Sequence, residues 1–202
     1  MDKGHKGLLV NIVLILFFSA GCSMLQKKLD PSQEYTTDSG FQFRFPMSGD
    51  WYPGQSQKGL YVVGQKPSSE GTSKITIVRH GPIYIPSDIP MTNKEILDRF
   101  KTNIENEAIG GRVSKVRSSF NQVKHNEADC LAFEQSGEDN TPSGAMNMSN
   151  QGLICLHPSR PYQFIWIAMS ERWPLGKSGS ASFSKDTKLL FDSLKFLNAK
   201  DK

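Results

Sequence analysis

Hydrophobic and polar residues alternate along much of this chain, and the alternation predicts a protein built mainly of strands. In FQFRFP, over 41–46, Phe41, Phe43 and Phe45 recur at every second position, the pattern of a half-buried strand with its rings turned inward. Segments 59–65 and 73–80, rich in Val, Ile and Tyr, predict two further strands. Their link over 66–72 holds Pro67, Ser68, Ser69 and Gly71 and reads as a turn. The three strands are expected to form a meander. Prolines 82, 86 and 90 make 81–90 a crossing loop rather than a central strand.

The period then changes. Over 94–108, Ile96, Leu97, Phe100, Ile104 and Ala108 fall on one helical stripe, with Lys94, Glu95, Asp98, Lys101 and Glu105 largely outside it. Asn93 is the expected N-cap, and Gly110 with Gly111 ends the helix. Strand texture returns at 112–124, 128–135, 146–157 and 162–170, before a helix over 183–192 and a last short strand within 193–197. QFIWIAM, over 163–169, is apolar almost throughout, as expected of a central strand covered on both faces. Strands and two helices in this order predict an α+β domain.

The N-terminal segment is different in kind. Lys3 and Lys6 precede an apolar run over 8–18, interrupted only by Asn11, and small residues lead to Cys22. This is a secretory pattern. As a helix the run would span about 20 Å, short of the roughly 30 Å hydrocarbon core, so a cleaved signal is expected rather than a transmembrane helix. Ser19, Ala20, Gly21 and Cys22 resemble the lipobox of bacterial lipoproteins, with Ser19 where that pattern usually has Leu. The resemblance implies processing after residue 21 and acyl chains on Cys22, palmitate among them, that hold the protein on a membrane. An ordinary cleaved signal with an incidental cysteine is the alternative. Ser23 in place of the aspartate that favours inner-membrane retention points to the periplasmic face of the outer membrane. Residues 22–40 are polar and unpatterned and read as a tether, leaving 41–198 as the domain.

Composition narrows the classes. Of 202 residues, 37% are hydrophobic and 12 are Phe, enough apolar surface for a core. The net charge of +4 is carried by scattered Lys and Arg, with only Lys27 and Lys28 adjacent near the expected membrane surface. No basic stripe marks a nucleic-acid face.

Once Cys22 is assigned to lipid, Cys130 and Cys155 form an even pair in a compartment that permits oxidation. Their midpoint falls at the turn formed by Pro142, Ser143 and Gly144, so a hairpin centred there would set them face to face. A disulfide is expected. Two buried free thiols are the alternative.

Candidate chemistry is sparse. His80 and His157 each end a predicted strand, and their convergence, with Asp88 or Asp129, could make a metal site or a small polar pocket for a ligand carrier or hydrolase. Solvated strand-end histidines are the plainer reading. No Gly-x-Ser-x-Gly elbow, phosphate loop or His-x-x-x-His pair occurs, so neither catalytic residues nor a cofactor are expected. Arg160, between Pro158 and Tyr162, and Arg172 with Trp173, in an expected polar loop over 170–179, are candidate interface residues. Alternatively, Trp173 covers an edge of the core.

A first strand ending in Pro46 with Trp51 soon after, a meander, one helix, a second strand set and a terminal segment ending Ser-Leu-Lys-Phe resemble the PsbP-like fold over about 39–198. The family includes the photosystem II extrinsic subunit and DcrB-type lipoproteins. The resemblance implies an α/β/α sandwich around a central antiparallel sheet, and binding or assembly on an envelope protein partner rather than catalysis.

Overall fold

The computed structural model describes residues 27–30, 32–46, 48–54, 57–84, 90–108 and 112–198. Cys22 and Asp88 lie outside them. The elements in chain order are β1 (Tyr35–Thr36), β2 (Phe41–Phe43), β3 (Trp51–Pro53), β4 (Leu60–Gln65), β5 (Ser73–Pro82), α1 (Asn93–Ala108), β6 (Val113–His125), β7 (Ala128–Thr141), β8 (Gly144–Leu156), β9 (Gln163–Pro174), α2 (Phe183–Asp192) and β10 (Lys195–Phe196). Seven strands form one antiparallel sheet in the order β3-β4-β5-β9-β8-β7-β6, and β1-β2-β10 form a small second sheet. This is an α+β protein.

The side-chain parity of β9 explains the layers. Ile165, Ile167 and Met169 project to one face, where they join Cys130, Leu153 and Cys155 with Phe183 and Leu190 of α2. Phe164 and Ala168 project to the other and join Leu131, Phe133, Ile154 and Leu156 with Ile96, Leu97 and Ile104 of α1. Each helix therefore covers its own face of the sheet, and β9 lies in the middle, buried from both sides, as its apolar run predicts. Phe133 faces Gly152 across β7 and β8, and its ring occupies the space a side chain at 152 would need. Glycine is required there by the close approach of the ring.

Four expectations change. The strand with Phe41, Phe43 and Phe45 buries all three rings but belongs to the small sheet on the α2 face, so the meander of the main sheet starts at Trp51 instead. The tether is shorter than 22–40: Leu29 N–H donates to the Trp51 carbonyl, and Tyr35 in β1 packs its ring on Phe43, Phe45 and Tyr61. An aromatic residue within a polar stretch was the signal for that docking. Thr92, not Asn93, caps α1, because Thr92 and Glu95 form a reciprocal capping box in which Thr92 N–H donates to Glu95 Oε2 at 2.8 Å and Glu95 N–H to Thr92 Oγ1 at 3.3 Å. Finally, β9 continues to Pro174, so Arg172 and Trp173 are strand residues rather than loop residues.

The disulfide forms as expected. Thr141 pairs with Gly144 around the Pro142–Ser143 turn, and the same register sets Cys130 opposite Cys155, which are bonded, with Cα atoms 4.1 Å apart. That spacing belongs to a non-hydrogen-bonded antiparallel pair, where side chains approach most closely.

Candidate functional site

The two strand-end histidines bear on one turn. Thr37 closes it, accepting from the Phe41 N–H through Oγ1 at 3.1 Å. Next in the turn, Ser39 Oγ lies 3.0 Å from His80 Nδ1, and the Gly40 carbonyl lies 3.1 Å from His157 Nε2. Because Ser159 N–H donates to His157 Nδ1 at 3.1 Å, Nδ1 must accept, which leaves the proton on Nε2 to donate to Gly40. His157 is thus a neutral imidazole, wedged against the rings of Phe41 and Phe196. Burial pushes both histidines below their ordinary pKa, against weaker opposing contributions from Asp38 at His80 and from the Gly40 hydrogen bond at His157. Arg160 adds to the clamp: its Nη1 donates to the Asp38 carbonyl, and its guanidinium fills the space beside Gly40, whose φ of +85° suits glycine.

This arrangement ties a turn to a sheet end; it does not gather ligands. Among the described residues no group of three or more His, Cys, Asp or Glu could hold a metal ion. Asp129, named with the histidines, is engaged instead by Lys124 at 2.7 Å and Asn93 at 2.8 Å.

Arg172 and its neighbour Glu171 anchor two charged clusters that the strand pattern alone did not reveal. On the α1 face, Arg172 is 9% exposed, and Asp139 accepts from it and from Arg112. Asp139 is fully buried, with a guanidinium at each carboxylate oxygen. Arg172 is accordingly a buried structural cation rather than an exposed anchor. On the α2 face, Lys74 Nζ donates to Asp186 Oδ2 at 2.8 Å and to Ser182 Oγ at 2.7 Å, while Ser180 N–H donates to Glu171 Oε2 at 3.0 Å. Glu171 Oε1 is buried without a hydrogen-bond partner, and burial raises the pKa of this carboxyl above the ordinary value.

The Lys74 and Ser182 contact has the residue types of a base and nucleophile. Asp186 Oδ2 accepts from both, from Lys74 Nζ at 2.8 Å and from Ser182 Oγ at 3.0 Å, so the three groups close on one another. The contact fastens the start of α2 to β5. One sequence signal pointed to it: in SKITIVRH, Lys74 shares the inward face with Thr76 and Val78. Trp173, half-buried, lies against Gly179.

What remains open lies at one edge of the sheet. β3, one edge, is three residues long, ends in Pro53 and receives the Leu29 N–H. β6, the other edge, runs for 13 residues, and most of its side chains are exposed. Two shallow grooves adjoin it near Val123. One, of about 470 Å³, lies between the strands and α2 and includes Ala132, Leu153 and Phe191. The other, of about 480 Å³, lies by the start of α1 and includes Leu97.

Among the described residues no helix is long and apolar enough to cross a membrane. No protein-family model matches the chain, and no curated protein matches it.

Proposed function

We propose that this chain is an envelope lipoprotein, anchored through acyl chains on Cys22 to the periplasmic face of the outer membrane, whose PsbP-like domain binds another envelope protein without catalysing a reaction. The anchor rests on Ser19 to Cys22 and the apolar run before them. The PsbP-like reading is supported by an antiparallel sheet with one helix packed on each face. The binding reading rests on one observation, the 13-residue strand β6 at an edge of the sheet with a groove on either side of Val123. A sheet edge offers a row of backbone donors and acceptors, which is a common basis for protein recognition.

Two measurements on protein taken from its native envelope test this. Intact-mass spectrometry should give the mass of a chain starting at Cys22 with diacyl or triacyl additions; an unlipidated mass removes the anchor. Crosslinking in the envelope followed by purification should recover one specific protein partner; recovery of nothing above background defeats the binding reading.

A further inference from the structure

We infer that the 117–125 stretch of β6 is a docking edge for an extended, acidic and apolar segment of a partner protein, which adds to the sheet as an eighth strand. The inference rests on the binding reading above and names its site and chemistry.

Asn126 and Glu127 both have positive φ, 46° and 70°, and form the two-residue turn that closes His125 against Ala128. Such a closing pair is hydrogen-bonded, and the pairs alternate from it. The odd-numbered residues of β6, from Arg117 to His125, therefore spend their backbone groups on β7. The N–H and C=O of Ser118, Phe120, Gln122 and Lys124 point the other way, to the open side of the sheet. At the far end the register shifts between Ser114 and Arg117, with Lys115 at φ 53°. That bulge disrupts the edge there and confines the open ladder to 117–125.

Charge selects the occupant. From Val113 to His125 the strand holds Lys115, Arg117 and Lys124 and no acidic residue. Lys115 pairs with Glu138 and Lys124 with Asp129, whereas Arg117 has no ion pair among the described residues. The carboxylates of α1 and α2 near this edge, Asp98 and Asp192, are paired within their own helices to Lys94 and Lys188. An incoming strand thus meets uncompensated positive charge at Arg117 and apolar surface at Val123, which is 39% exposed between the two grooves. A second copy fits poorly: antiparallel self-pairing centred on this stretch would set Arg117 opposite His125 and Lys124 opposite Ser118, and the incoming strand, itself without an acidic residue, would bring no carboxylate to Arg117.

The test uses the mature protein in detergent with its disulfide intact and a short peptide alternating glutamate and valine as probe. Residue-resolved hydrogen exchange should slow at the amides of Ser118, Phe120, Gln122 and Lys124. The protection should vanish when alternate peptide amides are N-methylated, and a lysine–valine peptide should not produce it. Arg117→Glu should weaken the probe by about threefold, the scale of one cross-strand charge pair. Protection elsewhere, or equal protection by the lysine peptide, overturns the inference. So does protection that grows with protein concentration alone, which would identify a second copy as the occupant. If envelope crosslinking recovers a partner through Trp173 or Tyr162 and not through Ser118, this edge is wrong while the binding reading stands.

Discussion

Glu171 and Arg172 are neighbours on β9, yet they project to opposite faces of the sheet and meet buried charge in opposite ways. Arg172 reaches an aspartate that two guanidinium groups share, and Arg112, with 37% of its side chain exposed, keeps that cluster in touch with water. Glu171 lies across from Lys74 in register, but Asp186 and Ser182 already hold the lysine amine. One oxygen of Glu171, like Oδ1 of Asp139, is buried without a hydrogen-bond partner, but Asp139 Oδ1 has a guanidinium beside it. A buried ion contributes stability when its partners are geometrically complete, and otherwise it lowers the charge it can sustain. The α1-face cluster sets two guanidinium groups against one carboxylate, whereas the α2-face cluster sets two carboxylates against one lysine.

The largest effect should come from Lys74→Met. It leaves Asp186 and Glu171 buried without their cation, at a cost of about 5 kcal/mol, the upper end for breaking a buried pair. Urea unfolding at neutral pH measures it, and a loss under about 1 kcal/mol would show that the cluster is hydrated. Asp139→Ala should cost somewhat less, about 4 kcal/mol, because Arg112 can turn to solvent while Arg172 cannot. A cost equal to or above that of Lys74→Met would reverse the ranking of the two faces.

At the other end of the sheet a covalent bond does what ions do at this one. Replacing Cys130 and Cys155 together with Ala should lower stability by about 3 kcal/mol for a pair 25 residues apart, with the hairpin register retained. Thermal melts with and without reductant on the unmodified protein should show the same difference.

The pH response separates the two kinds of site by sign. The folded pKa values of His80 and His157 are lowered, so their contribution is fully present above the unfolded value of about 6.5 and is lost as pH falls through it. The folded pKa of Glu171 is raised, so its burial costs stability at neutral pH, and that cost is relieved on acidification toward the unfolded carboxyl range. The urea midpoint should therefore fall as the pH drops from about 6.5 toward the lowered folded values. His157→Gln should flatten that fall, and a profile unchanged by this variant would remove the histidine from the account. Glu171→Gln should be the mildest change, within about 1 kcal/mol at pH 7, since it removes a charge that is poorly compensated. It should also abolish the recovery on the acid side.

Eight of the ten strands, both helices, the central place of β9 and the disulfide register were legible because each depends on local period or on symmetric spacing about a turn; β1, within the expected tether, and the three-residue β3 were not. Period-two burial of Phe41, Phe43 and Phe45 was readable, but not the sheet they join, because alternation reports a face and carries no information about neighbours. The same limit hid the ends of β7 and β9. Their distal halves, with Glu138, Asp139, Asn140 and Arg172, look like polar loop because the partners that satisfy them come from β6 and β9, distant in sequence. Of the candidate site residues, His80 and His157 do come together on one turn. Their role there as hydrogen-bonding clamps depends on Ser39, Gly40 and Ser159, which only the folded chain brings to them.

By itself the sequence determined both helices, most of the strands, their periods and the pairing of the two cysteines, since these follow from backbone geometry acting over a few residues. Only the tertiary structure decided which charges are buried, which partners complete them and that β6 is left at the edge of the sheet. Burial and edge position are properties of what packs alongside a strand, and no local pattern contains its neighbours.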